Sequence, residues 1–286
     1  MAIHLVIEAG RTERQYWRDL WRYRELFYFL AWRDFLVRYK QTAVGVAWAL
    51  IRPILTILIL SLACKAGGTL DTPNHDGPPL PLELLCAMLP WLFFSTAMSE
   101  SGSSLVNNSN LVSKIYFPRV VVPASSVIIS FVDLLISASL LAVLMAFYRY
   151  LPPLQVFCVP FFVLLVFCAA LGSGLWIAAL MVKYRDFRFI VPFIVTIGLY
   201  AAPVIMRSSR LPEVWEHWGI QWHLRLLYSL NPVVGIIDGF RWSILGGQYD
   251  LIYVPGLMAS ILGTVLLLTT GLWYFRKTER TFADIL

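Results

Sequence analysis

Arg52 carries the sharpest chemical implication in this 286-residue chain. It lies about midway along an apolar run at 43–63, where a charge costs about 2.5–3.5 kcal/mol unless it meets water or a partner. Two roles stay open for it. One is structural pairing with Glu100 or Asp133, the two acids inside other apolar runs; the other is the polar lining of a pore. Trp48 precedes it by one helical turn, so ring and guanidinium share a face. Tyr39 and Tyr200 are further rings beside or within apolar runs. Tyr39 precedes Trp48 by ~13 Å of helix rise and falls on the opposite face of a straight helix, so both can face one path only if a distortion near Gly45 turns one ring. Pro53 loosens the same helix locally.

Other chemistries find no residues to carry them. No G-x-x-x-x-G-K-[ST] phosphate loop occurs. His4, His75, His217 and His223 are scattered, and none pairs with Cys, Asp or Glu at a metal-ligand spacing. G-x-S-x-G and H-E-x-x-H are absent. The reading is therefore no enzyme, no catalytic residue, no cofactor and no metal, with a partner supplying energy for any driven step. Cys64, Cys86, Cys158 and Cys168 sit in or at the edges of apolar runs and read as packing thiols.

The elements that hold these residues follow from composition. The chain is 59% hydrophobic with a mean hydropathy of +0.70, which fits a polytopic membrane protein. Six apolar runs, at 43–63, 84–104, 119–148, 154–182, 189–206 and 252–275, are each long enough to approach or span a ~30 Å hydrocarbon core. The basic residues from Arg11 to Lys40, with Lys114, Arg119, Lys183, Arg185, Arg188, Arg276, Lys277 and Arg280, fall on one side. Fewer fall on the other: Lys65, Arg149, Arg207, Arg210, Arg225 and Arg241. That bias places both termini in the cytoplasm. The net charge of +6 flanks the runs, which suits anionic lipid and not nucleic acid. A seventh span at 225–246 is disfavoured by Asn231-Pro232, Asp238 and Arg241, so 207–251 reads as external helices that re-enter or lie on the interface. Trp215, Trp218, Trp222 and Trp242 suit anchoring there. Residues 15–40 interleave rings with arginines. Trp17, Leu20, Trp21, Tyr28, Ala31, Trp32 and Phe35 share one helical face, opposite Arg18, Arg22, Glu25 and Arg33, so the segment reads as a helix lying in the interface. Residues 107–119 read as a capped short turn stopped by Pro118. Leu171-Gly172-Ser173-Gly174 suggests close helix packing.

Several short motifs together resemble the polysaccharide-exporting ABC-2 permeases, the O-antigen export group in particular, with capsule and teichoic-acid permeases as near relatives. They are Arg33-Asp34, Arg38-Tyr39-Lys40-Gln41-Thr42, Gly45, Trp48 and Pro53 around the first run; Asn110-Leu111-Val112, Lys114, Phe117-Pro118-Arg119 and Pro123 in the second connection; Tyr184-Arg185-Asp186; and Asn231-Pro232 before the last run. The resemblance implies one transmembrane domain over 1–286. In it, 1–40 is a cytoplasmic N-terminus with an interface helix (Trp17, Trp21, Tyr28, Trp32) beside the point where lipid is admitted. Spans one to five occupy 41–206, external gate helices 207–251, and span six with a cytoplasmic tail 252–286. It implies a homodimer in the inner (plasma) membrane, joined to two ATPase subunits and exporting a polyprenyl-pyrophosphate-linked polysaccharide. It also implies a coupling helix through which Asn108, Asn110, Ser113, Lys114, Ile115, Tyr116, Phe117 and Arg119 meet the ATPase. A glycan cargo would stack on rings and hydrogen-bond along its path, for which Trp48, Arg52, Tyr39 and Tyr200 are the candidates. Two competing readings are a small-drug or lipid permease of the same topology and a membrane glycan transferase.

Overall fold

A computed structural model describes residues 18, 20–40, 47–67, 78–204, 228–246 and 253–282, and every regular element among them is helical. In chain order these are α1 (Arg24–Tyr39), α2 (Ala47–Gly67), α3 (Leu80–Asn107), α4 (Ser109–Lys114), α5 (Val121–Phe147), α6 (Val159–Lys183), α7 (Phe187–Ala201), α8 (Pro232–Leu245) and α9 (Val254–Thr278). A 3-10 turn leads into α6 and another follows α9. Proline sits in the first turn of α3, α6, α8 and α9, where its fixed φ suits a helix start and its missing N–H is no loss. Asn231 caps α8, its side chain accepting from the Val233 N–H at 3.2 Å.

Among the described residues, four helices have the length and composition to cross a membrane: α3, α5, α6 with its lead-in turn, and α9. Ala47–Ala63 of α2 and all of α7 are shorter apolar helices. The 15 residues of α7 rise only about 22 Å. α3 is the centre of the bundle. Of its apolar window 78% is buried, against 22–33% for the other three long helices, and it packs against α6, α5 and α8. The crossing of α6 and α9 is close because both present glycine. A Cβ on Gly172 would stand 2.7 Å from the α9 backbone at Leu267 and Leu268, and Gly271 faces the Gly172 carbonyl.

Three expectations change in the structure. First, α8, read as part of an external segment that re-enters or lies on the interface, is packed inside the helix bundle. It is wedged among α9, α3 and α6, with Val233 to Ile237, Gly239 to Arg241 and Ser243 to Leu245 buried. Apart from Asp238, Arg241 and Ser243, the helix is apolar or glycine all round, which favours burial. Trp242, expected as an interfacial anchor, packs against the core. Residues 207–227, with Trp215, Trp218 and Trp222, lie outside the described residues. Second, α1 has an inward face that the two-sided wheel did not predict. Leu30 is buried against Leu105, Val112, Phe117 and Phe275, with Leu20, Tyr23, Leu26 and Phe27 packed beside it. Leu20 thus leaves the outward aromatic face to which the wheel assigned it. Third, Arg241 is not an external charge but a buried one, 2% exposed.

A candidate functional site between α1, α2 and the bundle

A cavity of about 590 Å³ opens where α1 ends and α2 crosses α3 and α5. Trp48, Ile51, Arg52, Leu55 and Thr56 line it from α2, one face of a helix at spacings of three and four. α3 contributes Leu89, Phe93, Thr96 and Glu100, again on one face, and α5 contributes Asp133, Leu134 and Ser137. Arg38 and Tyr39, the last two residues of α1, close one end. One wall is therefore aromatic and aliphatic, and the other holds two carboxylates and two hydroxyls.

Arg38 dominates the polar wall. Its guanidinium bridges Asp133, at 2.8 Å, and Glu100. Ser130 donates to the second Glu100 oxygen at 3.2 Å, and the Tyr39 hydroxyl donates to Asp133. Burial, reinforced by the Asp133 carboxylate, raises the Tyr39 hydroxyl pKa well above its usual value. Tyr39 thus stays a donor throughout the physiological range. The planar fork of arginine suits this double contact, which a lysine ammonium cannot reproduce.

α1 is itself fixed at several points. Arg33 donates to the Asn108 side chain at 2.7 Å and pairs with Asp34. Four rings ascend its outer side toward the cavity: Tyr28 stacks on Trp32, Trp32 on Phe35, and Phe35 meets Tyr39 at a tilt, with centroids 6.4, 5.6 and 4.9 Å apart. Trp21, Tyr28 and Trp32 are exposed; Trp17 lies outside the described residues.

Residues 25–245 match the family described as ABC-2 type transporter. The chain belongs to that family. Among curated relatives, the O-antigen export system permease protein RfbA of Myxococcus xanthus is 27% identical, covering 93% of this chain and 97% of the relative. Two O-antigen export system permease proteins RfbA of Klebsiella pneumoniae are 24% and 25% identical, each over 89% of this chain and 92% of the relative. The family match runs from within α1 to the last residue of α8, so it takes in the whole cavity wall, while α9 lies beyond it.

The structure of this ABC-2 chain brings some sequence candidates together and separates others. Tyr39, Trp48 and Arg52 share the cavity. Tyr39 and Trp48 are not on one helix: Tyr39 ends α1 and Trp48 begins α2, so the helical phase between them does not apply. Tyr200 stands exposed near the end of α7, away from the cavity lining. Arg52 pairs with neither Glu100 nor Asp133, because Arg38 holds both. In the second connection, Asn110, Ser113, Lys114, Ile115 and Tyr116 are exposed. Phe117 is buried in the cluster beneath α1. Arg119 turns inward, its N–H bonded to the Glu279 carboxylate at 2.7 Å and its guanidinium to the Glu279 carbonyl. Asn108 sits at the α4 N-cap without capping it; its side chain bonds Ser104 and Arg33 instead. Sequence reasoning missed the roles of Arg38, Arg33 and Arg241. The signals for Arg38 were its place as the last arginine before an apolar run and its membership of the Arg38-Tyr39-Lys40-Gln41-Thr42 motif.

Proposed function

We propose that this chain is the membrane-spanning permease subunit of an ABC transporter that exports an O-antigen-like polysaccharide, with ATP hydrolysis carried by a separate subunit. The observation that carries this reading is the similarity to O-antigen export permeases along nearly the whole chain. The cavity supports it chemically. Trp48 offers a face for sugar stacking, while Glu100, Asp133, Thr96 and Ser137 offer hydroxyl partners. Many weak contacts of this kind suit a polymer that must slide.

In this reading α2 and α7 complete a set of six spans, with both termini in the cytoplasm of an inner (plasma) membrane. The cargo is lipid-linked, and two copies of the chain form the path. The exposed apolar residues Leu58, Ile59 and Leu62 on α2, and Phe189, Phe193 and Ile197 on α7, suit contact with lipid or with the second copy. Trp48→Ala tests the path: surface polysaccharide should fall about tenfold at an unchanged membrane level of the protein, as read by immunoblot of the polysaccharide. Normal polysaccharide in that variant would remove Trp48 from the path.

α4 and the residues after it are read as the ATPase contact, now narrowed to the exposed Asn110, Ser113, Lys114, Ile115 and Tyr116. A cysteine at Ser113 should crosslink to the ATPase in the assembled complex, and Lys114→Glu should weaken assembly several-fold in co-purification. No crosslink from an assembled complex would reassign the contact.

A further inference from the structure

The cavity contains two arginines in opposite situations. Arg38 is shared between two carboxylates. Arg52 lines the same space, yet its guanidinium makes no ion pair or hydrogen bond among the described residues. The side-chain hydrogen bond at this residue is to its backbone, where Thr56 donates to the Arg52 carbonyl at 2.8 Å. Apart from Thr56, Thr96 and Glu100, the α2 and α3 walls are apolar, with Ile51, Pro53, Leu55, Leu89 and Leu92. Arg52 is exposed to this open cavity, so its charge is met there by water or by an anionic group from outside the chain.

We propose that Arg52 is an anion site for a phosphate borne on a lipid. This rests on reading the cavity as the substrate path and adds the group that is bound there. The guanidinium fork matches two phosphate oxygens at once, and the aliphatic wall suits the chain attached to that phosphate. Trp48, one turn away, is placed to meet whatever follows the phosphate. The Glu100–Asp133 wall carries two negative charges against one arginine, so it repels an anion and leaves Arg52 as its place in the cavity. A bilayer phospholipid and a polyprenyl diphosphate share this chemistry.

The test uses the permease–ATPase complex in nanodiscs, with a photoreactive farnesyl diphosphate as the probe. Labelling should map to α2 residues 47–56. It should fall at least tenfold in Arg52→Gln and for the matching neutral farnesol probe, while Arg52→Lys should fall between. The source of the phosphate is decided by lipid composition. If excess phosphatidylglycerol abolishes labelling, the occupant is a bilayer phospholipid; if labelling persists, it is the polyprenyl diphosphate. Equal labelling of wild type and Arg52→Gln overturns the site, as does equal labelling by the neutral probe or labelling outside α2. A carboxylate of a second copy held on Arg52 would give that first result. If Arg52→Gln does not accumulate, competition of wild-type labelling by unlabelled farnesyl diphosphate, and not by farnesol, decides the point. Export lost in Trp48→Ala with labelling unchanged in Arg52→Gln would sink the anion site and leave the path standing. Labelling lost in Arg52→Gln with normal export in both variants would do the reverse.

Discussion

Arg241→Ala is expected to remove most of the folded protein from the membrane. Arg241 lies in α8, 2% exposed. Its two terminal nitrogens donate to the carbonyls of Pro203 at 2.6 Å and Val204 at 2.7 Å. Those carbonyls lie just past the end of α7, where no helical N–H can reach them. Alanine leaves both unpaired inside the bundle and opens a void. Each lost bond to a charged donor is worth about 1.5–3 kcal/mol, so the combined cost is on the order of 4 kcal/mol or more before the void is counted. Arg241→Met keeps most of the volume and isolates the hydrogen-bond loss; Arg241→Lys can reach one carbonyl and should be intermediate. The check is the amount of monodisperse protein after detergent extraction and its melting temperature. An Arg241→Met variant as abundant and as heat-stable as wild type would show that the carbonyls find other donors.

Arg38→Ala is expected to be nearly as damaging, and for a different reason. It strands Glu100 and Asp133 against each other on the cavity wall with their shared cation gone. Breaking a desolvated pair on one side costs up to about 3–5 kcal/mol. Here all three side chains are about a third exposed or somewhat less, so roughly half that is expected. Polysaccharide export should fall at least tenfold, because the end of α1 no longer holds against α3 and α5. The triple change Arg38→Ala, Glu100→Gln, Asp133→Asn removes the charges together and should restore the membrane level of the protein without restoring export. Blots of the protein and of surface polysaccharide separate the two. A single Arg38→Ala variant with wild-type level and export would show that the network is dispensable.

Much of the fold was legible because its signals are local. The apolar runs at 84–104, 119–148, 154–182 and 252–275 fall on α3, α5, α6 and α9, since burial of a long apolar helix in lipid needs only composition and length. Asn231-Pro232 reads as a break in the 225–246 stretch, and it is the capped start of α8, since capping is settled within three residues. Trp48 and Arg52 were placed on one face by helical phase alone, and both line the cavity.

What escaped the sequence was every choice between distant partners. Glu100 and Asp133 were visible as membrane acids, and pairing with them was one of two roles left open for Arg52, but Arg38 holds them. That choice depends on how α1 lies across α3 and α5, which is set by Leu30 and its neighbours packing onto Val112 and Phe117. The depth of α8 escaped for the same reason. Its polar residues suggested an external segment that re-enters or lies on the interface, whereas the two terminal nitrogens of Arg241 bond carbonyls just past the end of α7. The sequence by itself determined that this is a helical membrane chain, roughly where its helices begin and end, and which residues share a face within each helix. Only the tertiary structure decided which arginine is neutralised and which stands open. Hydropathy and capping act over a few residues, while charge pairing is decided by distances between helices far apart in the chain.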